Sequence, residues 1–247
     1  MNDIEKLEKQ LIYERGKKYK GGIYYFTQTE LAYNSNRIEG SKLSKEHTAS
    51  LFETKTIIAD GEVIKSDDIV ETLNHFRAFD YLLNNVHAPL TEEIIKNFHK
   101  ILKTGTSDAD LDWFNVGEYK KMDNIIGDKY TTPPGKVAEE ISLLLQRYNE
   151  KQNKVFADII DFHYKFESIH PFQDGNGRVG RLLMYRECLA NNVIPFIIDA
   201  DHKDFYYRGL REYSKEKGYL RDTCLSAQDK YTAYCKRLVP DFGKDDK

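Results

Sequence analysis

Apolar positions recur every three to four residues along most of the chain, a helical period. Residues 2–18 are charged with sparse apolar positions and read as a short helix. Thr27 to Glu30 reads as a capping box, opening a helix that ends near Gly40. Ser44 caps KEHTASLFETK, Ser66 caps DDIVETLNHFRAFDYLLNNV, and Thr91 caps TEEIIKNFHKIL beyond a break at Pro89. Residues 104–121 lack a period and read as a loop. GKVAEEISLLLQRYNE is a further helix. VFADIIDFHYKFESI is apolar on most sides and reads as the buried central helix, with RVGRLLMYRECLANN as a second buried helix. HKDFYYRGLREYSKE and SAQDKYTAYCKRLV complete the helical set. Two stretches interrupt it. IIADGEVI carries Asp60-Gly61 between apolar pairs, and MDNIIGDKYTTPP carries Gly127-Asp128 before Pro133-Pro134; both read as short hairpins. The expected fold is mainly α, with one or two hairpins.

Composition narrows the class. The 247 residues suffice for one large domain, or one domain plus a small appendage. A net charge of -3 gives no sign of nucleic acid or an anionic membrane as partner. No apolar run approaches the ~20 residues of a membrane helix. The first residues, MNDIEKLEKQ, have no signal-peptide core. Cys188, Cys224 and Cys235 form neither a disulfide framework nor a zinc pattern, so a reducing cytoplasm is expected.

The chemistry concentrates in SIHPFQDGNGRVGRLLMY, residues 168–185. Gly175 and Gly177 allow a close backbone approach to a ligand, and the helix starting there offers amide donors and the positive end of its dipole to an anion. Arg178 and Arg181, three residues apart, suit a polyphosphate. Asp174 beside such a nest is a natural ligand for Mg²⁺, and His170 takes a proton near neutral pH. Together they describe a nucleotide-phosphate site with a general base. The string lacks the Lys-Ser/Thr of a Walker A loop, and no strand precedes it as a dinucleotide fingerprint requires.

HPFQDGNGRVGR, residues 170–181, resembles the HPFx(D/E)GNGRxxR signature of the Fic (Fido-domain) family at every specified position. The resemblance extends over about residues 90–230. HYKFESI is similar to the family's helix before the loop, MDNIIGDKYTTPP to its β-hairpin flap, and FYYRGL to the segment near its adenine pocket. It implies a Fic-type helical bundle with the flap beside the active-site loop, and three parts: an N-terminal helical region over 1–88, a catalytic core over 89–230 and a tail over 231–247. It also implies a protein adenylyltransferase that uses ATP and Mg²⁺ to attach AMP to Ser, Thr or Tyr hydroxyls of a target protein, and to itself. By this resemblance His170 is the base and Asp174 the Mg²⁺ ligand. Asn176 and the amides of Gly175 and Gly177 stabilise the α-phosphate, while Arg178 and Arg181 grip the β- and γ-phosphates. Phe172 packs beneath the loop, Tyr207 lies near the adenine, and Ile125 and Ile126 of the flap clamp an extended target.

SNRIEG, residues 35–40, taken alone is an exposed helix end. Beside the signature it resembles the family's inhibitory (S/T)xxxE(G/N) helix, here about residues 27–40. The resemblance implies that Ser35 and Glu39 face Arg181, with Glu39 in a bidentate pair that fills the γ-phosphate position. A homodimer is a further implication. Two other readings stand beside this one: a Fic variant that moves another group or removes AMP with Glu39 placing the water, and a nucleotide-sensing regulator with negligible transfer.

Overall fold

The computed structural model describes residues 1–17, 19–59, 61–127 and 129–244. Lys18, Asp60 and Asp128, which fall in three of the expected elements, and residues 245–247 lie outside the described residues. Ten α-helices run through the described residues: α1 (Asp3–Lys17), α2 (Ile23–Ile38), α3 (Lys45–Thr54), α4 (Ser66–Asn84), α5 (Glu92–Lys103), α6 (Pro134–Asn149), α7 (Phe156–Ile169), α8 (Asn176–Ala190), α9 (Lys203–Glu212) and α10 (Gly218–Leu238). One antiparallel hairpin, β1 (Ile125–Ile126) and β2 (Lys129–Tyr130), stands between α5 and α6. The mainly helical fold expected from the period is observed.

The most enclosed element is α8, not α7. Every α8 residue from Asn176 to Leu189 except Gly177 is buried. Val179, Leu182, Leu183 and Tyr185 meet Phe162 and Phe166 of α7, Phe98 and Leu102 of α5, and Phe79 and Leu82 of α4. The same core takes in Leu7 and Leu11 of α1, Leu31 of α2, and Tyr231 and Cys235 of α10. Residues from 1–88, from 89–230 and from 231–242 all contribute to this core. The boundary after residue 230 falls inside α10.

Three local expectations are corrected. α2 starts at Ile23, before Thr27, because Glu14 of α1 supplies the cap: its Oε2 accepts the Tyr24 N–H at 2.8 Å. Thr27 lies within the helix, 2.6 Å from the Tyr231 hydroxyl. Ser66 is the first residue of α4, with Lys65 at the cap position. No strand forms in 56–59 or 61–65. Ile57 and Ile64 instead pack beside the buried Leu43, Leu51 and Phe76, while Ile58 and Val63 face solvent. Ser44 and Thr91 cap α3 and α5 as expected.

Candidate active site

Residues 170–175 connect two buried helices through a tight loop. His170 ends α7 in the left-handed region, at φ 53 and ψ 64, and its N–H donates to Phe166 O at 3.0 Å. That conformation costs a non-glycine residue roughly 1–2 kcal/mol, so the surrounding contacts must hold it. Gly175 supplies the second left-handed step, φ 79, immediately before α8.

Phe172 anchors the loop from below. It is fully buried and stacks on His99 of α5 with centroids 4.0 Å apart and planes 1° off parallel. Asn176 clamps the same residue: its Oδ1 accepts Phe172 N–H at 2.8 Å and its Nδ2 donates to Phe172 O at 2.8 Å. Phe172→Ala should cost about 3–5 kcal/mol, and thermal unfolding against wild type checks it. An unchanged melting temperature would mean the loop is held elsewhere.

The start of α8 holds a carboxylate of the chain itself. A Cβ on Gly177 would lie 2.3 Å from Glu39 Oε1 and 2.9 Å from Arg181 Nη1, so the Glu39 carboxylate sits against the first turn, where an anion is favoured. Arg181 Nη2 donates to Glu39 Oε1 at 2.7 Å and to Ser35 O at 3.0 Å, and its Nε donates to Ser35 Oγ at 2.9 Å. Ser35 and Glu39 therefore do face Arg181, but one nitrogen serves Glu39 and the pair is not bidentate. Arg181 Nη1 is buried without a partner. Burial would lower the Arg181 pKa, and Glu39 outweighs it, so the guanidinium stays charged.

Behind Arg181 lies a second carboxyl. Glu167 is buried, and this raises its pKa to about 8; Arg181 offsets part of the rise and Glu39 adds to it. Its Oε2 is 4.0 Å from His170 Nδ1. His170 has its pKa pushed down to about 4, first by burial and then by the Lys120 cation. At neutral pH the imidazole is unprotonated and able to accept a proton.

Asp174 faces two cations, Lys103 Nζ at 2.7 Å and Arg178 Nη2 at 2.9 Å, both on Oδ2. Burial would raise its pKa, but Arg178 and Lys103 prevail and hold it well below the usual carboxylate range. Arg178 also pairs with Glu71 of α4. The two motif arginines thus turn to different carboxylates, rather than converging on one anion.

The flap is tied to this loop. Lys120 N–H donates to Pro171 O at 2.9 Å and Asn124 Nδ2 to Phe172 O at 3.1 Å. Lys120 Nζ spans both flap arms, reaching Asn124 Oδ1 at 2.6 Å and Thr131 Oγ1 at 2.5 Å. Ile125 pairs with Tyr130 and Ile126 with Lys129, leaving both isoleucines exposed. Tyr207 places its hydroxyl on Ile38 O at 3.0 Å, beside Glu39. Tyr206 is buried and bonded to His163 Nε2 at 2.7 Å.

Lys103, Glu71, Asp108, His99 and Glu167 were not singled out in the sequence. A signal existed for two of them. His99 and Lys103 are four apart, in phase with Ile95, Phe98 and Leu102 on the buried face of α5.

Residues 89–188 match the model of the Fic/DOC family. Those residues form a domain of the Fic/DOC family. The chain is 30% identical over 190 residues to "Protein adenylyltransferase Fic" of Aedes aegypti, and 28% identical over 187 residues to the protein of that name from Drosophila melanogaster. Each alignment takes in 72% of this chain and 36% of the relative, so the chain matches about a third of those proteins' length. The fold is similar to a crystal structure of a Fic domain containing signaling protein from Bacteroides thetaiotaomicron, with TM-score 0.69 and 24% identity over 94% of this chain and 91% of that one. It is also similar to a Fic family protein from Desulfovibrio desulfuricans, with TM-score 0.70 and 20% identity over 96% and 75% of the two chains.

Proposed function

We propose that the chain is an autoinhibited protein adenylyltransferase, transferring AMP from ATP to a Ser, Thr or Tyr hydroxyl. The observation that carries this reading is the seating of Glu39 on Arg181 and the first turn of α8, directly after the motif loop that holds His170. An anion-binding helix start filled by the chain's own carboxylate is the arrangement a phosphate-handling site needs when held shut.

In the open state the γ-phosphate takes the place of Glu39 on Arg181. The amides at the start of α8 face the α-phosphate, where charge develops. Asn176, occupied at both ends by Phe172, serves by fixing the loop. Neutral His170 removes the hydroxyl proton, the oxygen attacks the α-phosphorus, and its bond to the β-phosphate oxygen breaks to release pyrophosphate. The exposed edge of the flap adds the target as a strand, with Ile125 and Ile126 flanking it and Tyr207 close to the nucleotide.

Asp174 fits Mg²⁺ carried by ATP. It is held ionised and its side chain is 46% exposed. Among the described residues no group of three or more His, Cys, Asp or Glu is arranged to hold a metal, so most ligands of the ion would come from phosphate and water. A bound Mg²⁺ would offset charge on the phosphate oxygens.

The test is protein labelling in Mg²⁺ with ATP carrying label on the α- or the γ-phosphate. Label from the α position only, absent in His170→Ala, is expected. Label from the γ position would mean phosphoryl transfer and would end the reading.

A further inference from the structure

Lys103, the last residue of α5, has a side chain only 2% exposed, a place where lysine survives only when paired. Its Nζ lies 2.7 Å from Asp174 Oδ2, 2.8 Å from Glu71 Oε1 and 3.0 Å from Asp108 Oδ2. Arg178 closes the cluster through Glu71 and Asp174. Five charged groups from α4, α5, the turn after α5, the motif loop and α8 thus meet, two cations against three carboxylates. Fixing the loop does not require them, since Phe172, His99 and Asn176 already hold it. What the cluster adds is a fixed ammonium on the one carboxylate of the motif.

We propose that Lys103 is a positioning residue for Asp174, a resident cation that occupies its Oδ2 and makes uptake of a divalent ion depend on nucleotide. The proposal rests on the reading of Asp174 as a metal ligand. With Lys103 in place the cluster carries one net negative charge, little attraction for a dication that must shed water. Triphosphate oxygens supply the missing charge and ligands, so ion and nucleotide enter together. Without Lys103 the net charge becomes minus two and Oδ2 loses the ammonium.

The experiment is titration of nucleotide-free protein with Mn²⁺, following the free ion by electron paramagnetic resonance. Lys103→Met should bind Mn²⁺ tighter than wild type by about tenfold or more. Adding Asp174→Asn should return affinity to the wild-type value. Lys103→Met with Glu71→Gln carries the wild-type net charge and removes the carboxylate that Lys103→Met alone leaves to Arg178. It should also bind tighter, and it provides the measurement if the single variant does not fold. A gain under about threefold in the folded variants, or a gain that survives Asp174→Asn, overturns the proposal. AMP transfer enters none of these readings, so the labelling experiment can fail while this one succeeds.

Discussion

Glu39→Gly should raise α-label transfer roughly ten- to a hundredfold over wild type. The size of the effect follows from what ATP must displace. A charge-assisted hydrogen bond of this kind contributes about 1.5–3 kcal/mol, and every 1.4 kcal/mol is about a tenfold change. Glu39 holds Arg181 at 2.7 Å and lies against the first turn of α8, so it competes with phosphate for both. Glycine removes the carboxylate and leaves Ser35, whose Oγ and carbonyl still orient Arg181 at 2.9 and 3.0 Å. The freed guanidinium, buried and lacking its counterion, should also make the nucleotide-free variant less stable, and ATP should restore more stability to it than to wild type. Glu39→Gln keeps a hydrogen-bond acceptor without the charge and should fall between the two. A wild type as active as Glu39→Gly, in the same labelling assay, would remove inhibition from the reading and leave transfer untouched.

Much of this was readable in the chain, and the rest fails for identifiable reasons. The motif 170–181 spells out a loop whose parts are local, so its base, its glycines and its phosphate-facing helix are contiguous in sequence. The meeting of Ser35 and Glu39 with Arg181 joins residues more than 140 positions apart. No helical period reports it; only the resemblance pointed there. The capping pattern at Thr27 misplaces the start of α2, because the cap comes from Glu14, on a different helix. The paired arginines illustrate a different limit. Their spacing puts both on one helix face, but the partners on α2 and α4 decide where each side chain goes, and Glu39 and Glu71 draw them apart. Lys103 carries no motif, and a lysine is nearly always solvated; its phase with the apolar face of α5 is the available clue.

Acid should unfold this protein with unusual steepness. Four histidines are held unprotonated by the fold, each first of all by burial: His170 at about 4, and His75, His99 and His163 at about 3. A group whose folded pKa is depressed contributes fully above its unfolded value, here about 6.5, and loses that contribution as pH falls toward the folded value. At pH 5 each unfolded histidine has bound a proton that the folded one refuses, a loss of about 2 kcal/mol apiece. Glu167 runs the other way. Its folded pKa of about 8 means that it favours folding at low pH and costs stability as pH rises through 8. Between pH 6.5 and 5 it recovers roughly 2 kcal/mol, leaving a net loss on the order of 4 kcal/mol after the part of the histidine loss already present at pH 6.5 is set aside. For a chain of this size that corresponds to roughly 10 °C in the melting temperature. Stability should therefore be greatest near pH 6.5–7. Calorimetry across pH 5 to 8 measures it, together with a net uptake of about three protons on unfolding at pH 5. A melting temperature that stays level from pH 6.5 to 5 would mean that the buried rings find protons, or partners, in the folded state.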